Sequence, residues 1–347
     1  RAPLPRTLRY GQRVLRHGMR MPWPERALVF LVTLVLALGV GAGVRRCLAQ
    51  PTDYGPDVIT PTNSVTDGTT PDDQGAATDA ASNTPTSLTA EADGGALVLS
   101  GDVGSRTVDD LSAIVQELDA LQDGGIQAGV AVTSLDGSIT LTYQQDQSFY
   151  AASTIKAPYV CAVLEEDLPA GTTSLASLRD AMSSMLLYSD NDSYRQLRDS
   201  YGDDVFLTWL QRHDVTAGTY GSLSDYARDH YPFSTPEQLT QMWQAVWAFV
   251  SGDAQGASYL KDLLARREES PIANALGPQT ETYSKAGWYP ETDGSDAAPA
   301  SNDAGVVIHG SASTSYVISV MSTAPSELDR LEGLISAIDH LMDADGA

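Results

Sequence analysis

Phe149-Tyr150-Ala151-Ala152-Ser153-Thr154-Ile155-Lys156 is the stretch on which the reading of this chain turns. Two aromatic and two small residues lead into a serine placed to begin a helix, expected over Ser153 to Glu165, and a lysine follows three positions later. Residues three apart share a helix face, so Ser153 and Lys156 aim at one spot if the helix starts near Ser153. A serine hydroxyl is a weak nucleophile until a base takes its proton. A desolvated ammonium can become that base, whereas a guanidinium cannot. Lysine is rare here, with three Lys against 18 Arg, so a lysine is expected where lysine chemistry is needed. The first N–H groups of a helix have no intrahelical partner and can hold a developing oxyanion beside Ser153.

Outward from this stretch, Leu175 to Leu187 reads as a helix, and Ser189-Asp190-Asn191 follows it. Further on, Glu281 to Trp288 reads as a strand that carries Lys285-Ala286-Gly287. Each triplet alone says little, since Asn and Asp favour loops and caps anywhere. In this order and these contexts, S-x-x-K, S-D-N and K-A-G resemble the motif set of the class A β-lactamases and penicillin-binding proteins. The resemblance extends over residues 97–347 and includes Asn302-Asp303-Ala304-Gly305-Val306-Val307.

It implies roles. Ser153 is the acylated nucleophile and Lys156 its base or part of the proton relay. Ser189 carries a proton toward the leaving nitrogen. Asn191 holds Lys156 and a substrate amide, and Lys285 turns positive charge toward a substrate carboxylate and Ser189. The backbone N–H groups of Ser153 and Trp288, with Ala286 and Gly287 on the same strand, form the oxyanion site.

The implied fold is α+β with two lobes, of β-lactamase/transpeptidase type. Five antiparallel strands are expected: Gly129 to Ser134, Ile139 to Tyr143, Glu281 to Trp288, Gly305 to His309 and Ser315 to Met321. Helices at Val108 to Leu121 and Leu328 to Met342 flank the sheet, and helices at Leu175 to Leu187, Asp204 to Arg212 and Thr235 to Val250 belong to an all-helical lobe. A cleft between the lobes is the natural place for a site.

Three departures from the pattern bear on function. No glutamate lies between Glu166 and Glu237, where the resemblance calls for a base that activates the deacylating water. Asp225 and Asp229 are candidate substitutes, against a plainer reading as solvated loop acids paired with Arg228. Ala286 replaces the usual threonine hydroxyl, and no arginine lies between Arg267 and Arg330 to add a second cation beside Lys285. His309 is a candidate for that charge, against a plainer reading as a structural histidine. The segment from Lys156 to Ser189 is short and leaves out an expected hairpin-like insertion.

The N-terminal part reads differently. Residues 1–26 carry seven Arg and one acid, Glu25, and are expected to be a basic cytoplasmic segment. Residues 27–44 are 18 uncharged, mostly apolar residues, about 27 Å of helix at 1.5 Å per residue. The positive-inside rule makes them a single-pass signal anchor, with a cleaved signal peptide as the alternative. Residues 45–96, whose only Lys or Arg are Arg45 and Arg46, read as a disordered Thr/Asp/Pro-rich linker. The catalytic domain, residues 97–347, is thus expected outside the cytoplasm at the cell membrane.

The net charge is −24, and since residues 1–44 carry +6, the rest holds −30, which argues against nucleic acid as a partner. Two cysteines give no disulfide framework, and Cys161 is expected to be buried and inert. The five His are scattered without ligand spacing, so neither metal nor other cofactor is expected. The expected ligand is a small-molecule β-lactam or a cell-wall peptide; no protein partner is indicated. Three activities compete: a β-lactamase, a D,D-peptidase-like cell-wall hydrolase, and a catalytically weak cell-wall binding module.

Overall fold

The computed structural model describes residues 86–290 and 297–344. The basic segment, the apolar stretch 27–44 and the linker as far as residue 85 lie outside the described residues. Among the described residues no helix is long and apolar enough to cross a membrane.

The first element corrects the expected linker boundary. Strands β1 (Ser87–Ala92) and β2 (Gly95–Gly101) pair as an antiparallel hairpin, so residues 87–96 are sheet rather than linker. Their apolar signal is sparse. Leu88, Leu97 and Leu99 are buried while small and polar residues fill the outward positions, which is how a half-buried edge hairpin reads. A short 3-10 turn (Val108–Leu111) leads into α1 (Ser112–Asp123), followed by β3 (Ala128–Ser134), β4 (Ile139–Tyr143) and the two-residue β5 (Phe149–Tyr150).

The helical lobe comes next: α2 (Lys156–Ala170), α3 (Leu175–Tyr188), α4 (Asn191–Arg212), α5 (Leu223–Arg228), the two-residue β6 (Phe233–Ser234), α6 (Pro236–Val250), α7 (Ala257–Ala265) and α8 (Pro271–Leu276). Nothing but a four-residue turn separates α2 from α3, so the expected short segment between Lys156 and Ser189 holds no strand. The helix expected at Asp204 to Arg212 is the second half of α4, broken from the first at Gly202 (φ 76°, ψ −173°). That backbone is open to glycine and costly for other residues. The chain ends with β7 (Glu281–Tyr289), β8 (Ala300–Ile308), β9 (Tyr316–Ser322), a 3-10 turn (Leu328–Leu331) and α9 (Glu332–Met342).

Seven strands rather than the expected five form the main sheet, in the order β1-β2-β4-β3-β9-β8-β7, every pairing antiparallel. Both faces are covered, and the period-2 rule sorts the side chains. Tyr316, Ile318 and Val320 of β9 pack with Ile114 and Leu118 of α1 and with Leu334 and Ile338 of α9. Val317 and Met321, one position out of phase, join the core of the helical lobe with Tyr159, Phe206, Trp209 and Trp243. Each large side chain fully buried this way contributes roughly 1.5–3 kcal/mol. The β5–β6 pair ties Phe149 to Ser234, and Ala151 N–H donates to Pro232 O (3.0 Å). These bonds bring the 220–236 loop against the segment that carries Ser153.

Candidate active site

Ser153 lies in a 3-10 turn, Ala152–Ile155, that runs directly into α2, whose first residue is Lys156. The turn is held hard. Ala152 sits at φ 48°, a left-handed backbone that a non-glycine residue adopts only when its surroundings impose it. Asn302 of β8 braces the two residues before Ala152. Its Nδ2 donates to Tyr150 O (2.9 Å) and Ala151 O (3.3 Å), and its Oδ1 accepts from Ser322 N–H (3.0 Å). Thr154 Oγ1 also donates to Ala151 O (2.6 Å).

On the other side, Gly287 of β7 lies so close that a Cβ there would come within 2.6 Å of both Ser153 N and Thr154 N. Only a glycine lets strand and turn approach this closely, and it keeps the front of the Ser153 N–H clear. Trp288 follows it at the open end of the strand, its ring centroid 5.5 Å from Lys285 Nζ. Ala286 is fully buried and offers no hydroxyl.

Lys156 is completely buried. Its Nζ donates to Ser189 O (2.7 Å) and Asn191 Oδ1 (2.7 Å) and lies 3.5 Å from Ser189 Oγ. Burial, helped by the charge of Lys285, pulls its pKa down to about 7, while Asp190 opposes the fall. Near neutral pH a large share of this amine is therefore uncharged and able to take a proton.

The Ser189-Asp190-Asn191 triplet occupies the junction of two helices. Ser189 ends α3 in a left-handed conformation (φ 58°), and Asp190 caps α4 by accepting from Ser193 N–H (2.7 Å). Such a corner projects Ser189 Oγ into the site, where Lys285 Nζ donates to it at 3.1 Å. Ser189 Oγ thus stands between the two lysines.

Lys285 is also buried, and burial lowers its pKa to about 8 against the opposing charges of Asp303 and Glu269. Asp303 is fully buried on β8. Its Oδ2 accepts from Ser270 Oγ (2.7 Å) and Ile272 N–H (3.1 Å), while Oδ1 has no partner among the described residues. Burial raises its pKa above the usual carboxylate range.

The structure brings Ser153, Lys156, Ser189, Asn191, Lys285, Ala286, Gly287 and Trp288 to one place. It places the two candidate acids elsewhere in their loop. Asp225 accepts from Ser222 Oγ (2.7 Å) and pairs with Arg228 (3.0 Å) on the exposed surface of α5. Asp229 has both carboxylate oxygens engaged: Oδ1 accepts from Tyr231 N–H (3.0 Å) and Oδ2 from Tyr220 OH (2.8 Å). Neither is bonded to Lys156 or Asn191. The loop residue that does reach the site is Tyr231, whose OH donates to Asn191 Oδ1 (3.0 Å).

His309 is likewise no partner of Lys285. It follows the far end of β8, its Nε2–H donating to Asp339 Oδ1 on α9 (2.8 Å), which also accepts from Tyr316 OH (2.7 Å). It is a structural bridge to α9. Cys161 is free and buried in α2, where burial holds its thiol protonated. Among the described residues no group of three or more His, Cys, Asp or Glu side chains is placed to hold a metal ion.

Sequence reasoning misses Tyr231, Asn302 and Asp303 as site residues. Asn302 and Asp303 lie in a polar run that masks a strand, and a tyrosine in a loop carries no motif of its own.

A buried lysine three residues after a serine, with a second lysine across a shared serine hydroxyl, is an arrangement suited to acyl transfer on a mixed α+β scaffold. The profile described as the Beta-lactamase enzyme family matches residues 110–176 and 166–341, well over half of the chain, and the chain belongs to that family of serine hydrolases. No curated protein matches the sequence. Among solved structures, a beta-lactamase from Chitinophaga pinensis aligns with TM-score 0.56 at 19% identity, over 69% of this chain and 100% of its own. A beta-lactamase from Sphaerobacter thermophilus aligns with TM-score 0.52 at 19% identity, over 68% of this chain and 98% of its own. A structure named PBP-A aligns with TM-score 0.53 at 19% identity, over 67% of this chain and 96% of its own. At these identities the likeness is one of fold.

Proposed function

We propose that the chain is acylated at Ser153 by β-lactams or a related acyl or peptide substrate, with the domain held outside the cytoplasm by the apolar segment 27–44. The observation that carries the reading is the bonding of Lys156. Its Nζ is buried, is lowered to about pKa 7, and touches both Ser189 and Asn191.

On this reading the steps run as follows. Ser153 Oγ attacks the substrate carbonyl carbon and its proton passes to the neutral Lys156 amine. The oxygen of the tetrahedral adduct turns to the N–H groups of Ser153 and Trp288. Lys156 returns a proton through Ser189 Oγ to the leaving nitrogen, the C–N bond breaks, and an ester to Ser153 remains. Lys285, protonated below about pH 8, keeps Ser189 oriented and offers positive charge to an acidic group of the substrate. Without a hydroxyl at Ala286 or a nearby arginine, that recognition rests on Lys285 alone.

A second reading, a D,D-peptidase-like cell-wall hydrolase, is favoured by one observation. The 220–236 loop delivers a tyrosine rather than a carboxylate to Lys156 and Asn191. Acylation is supported and fast hydrolysis of a β-lactam ester is not. Mixing the full chain with a penicillin and weighing it intact tests the assignment. The native chain gains the mass of the drug, and Ser153→Ala gains nothing; labelling of the variant contradicts the nucleophile.

A further inference from the structure

Asn191 has one carbonyl oxygen, and two donors from different elements meet on it. Lys156 Nζ donates at 2.7 Å and Tyr231 OH at 3.0 Å. An amide oxygen has two lone pairs, so both are filled. With the oxygen held by two donors, a flip of the amide would lose both bonds.

Tyr231 is itself held from several sides. Its ring packs edge-on to Tyr194 (5.2 Å, 66°), and Tyr194 OH donates to the neighbouring His230 O (2.8 Å). Its N–H donates to Asp229, Asp229 accepts from Tyr220, and Tyr220 OH accepts from Phe233 N–H (3.0 Å). Asp229 is therefore the fastening that presents this phenol. The rings of Tyr194 and Tyr231 lie 5.7 and 5.9 Å from Lys156 Nζ and wall it off from water. Desolvation pushes the Tyr231 phenol up to about 12, so it donates and does not serve as a base.

We propose that Tyr231 is the positioning residue that sets the balance between acylation and hydrolysis: its hydroxyl locks the Asn191 amide for acyl transfer, and its ring dries the flank of Lys156 where a hydrolytic water would have to sit. The inference rests on acylation at Ser153. The groups that act on Lys156 here are Lys285 from β7, Asp190 at the cap of α4, Ser189, Asn191 and the rings of Tyr194 and Tyr231. Of these influences burial is the largest, so removing the ring re-wets the amine and moves its proton affinity up.

The test uses the full chain with a penicillin, followed by intact mass across pH. Tyr231→Phe keeps the ring and loses one hydrogen bond. It slows acylation roughly two- to tenfold and leaves the acid limb of the pH profile near 7. Tyr231→Ala shifts that limb upward by on the order of one pH unit and shortens the life of the adduct. Thermal melting of both variants registers any loss of fold, and Tyr231→Phe decides the hydrogen-bond part if Tyr231→Ala fails to fold. A native chain that acylates while both variants match it in rate, limb and adduct lifetime overturns the role of Tyr231. A native chain that takes no adduct overturns the acylation reading itself.

Discussion

Two sides of one cleft have been built to different standards. On the side of Ser153, the groups assigned above to acylation are drawn together. The turn is clamped by Asn302, the strand is admitted by Gly287, and two buried lysines flank Ser189. On the side of the 220–236 loop, neither candidate acid is bonded to Lys156 or Asn191. Asp225 faces Arg228, Asp229 is consumed in holding the loop, and a phenol stands beside Lys156 and Asn191. The difference teaches that forming and breaking an ester are separable tasks. The first needs a nucleophile, a base and oriented N–H donors; the second also needs a base aimed at water.

The sharpest way to break this comparison is to remove the base on the intact side. Lys156→Ala lowers the acylation rate about 10²–10⁴-fold, as loss of a general base does. Stopped-flow acylation rates measure it, and a loss below tenfold contradicts the assignment. The native pH profile sharpens the same point. Acylation rises as Lys156 loses its proton through about pH 7. With a carboxylate-bearing substrate it falls again as Lys285 loses its proton through about pH 8.

Gly287→Ala comes next. The added methyl meets Ser153 N and Thr154 N, so the strand must retreat, and acylation falls about 10²–10³-fold, the usual cost of a lost oxyanion donor. A circular-dichroism spectrum separates this loss from unfolding. The smallest effect is expected on the other side. Asp225→Asn removes an exposed ion pair worth about 0–1 kcal/mol and leaves both acylation and adduct lifetime as in the native chain. A shortened or lengthened adduct lifetime in that variant, read by mass, returns Asp225 to the candidate bases.

Legibility in the sequence followed from how each residue is used. Ser153, Lys156, Ser189, Asn191 and Lys285 were readable because S-x-x-K, S-D-N and K-A-G, in that order, resemble a known motif set; spacing alone paired only Ser153 with Lys156. β3, β4 and β9 were readable because their apolar residues alternate or run unbroken. The first half of β8 was not, because Ser301, Asn302 and Asp303 are polar and yet fully buried. Each holds specific partners, and burial of a bonded polar group leaves no hydrophobic trace. Residues 87–96 read as linker because Leu88 alone marks β1 among small and polar neighbours. Tyr231 was invisible because its role comes from where the loop folds back, set by bonds among Asp229, Tyr220 and Phe233 that no local pattern encodes.

The central claim is that this chain forms its acyl-enzyme readily and releases it slowly. Intact mass of the full chain, followed over time after one addition of a penicillin, tests it most directly. The account predicts a single adduct on Ser153 that outlasts the free drug by many acylation half-times. Rapid disappearance of the adduct with many equivalents of penicillin consumed would contradict it, as would the absence of any adduct.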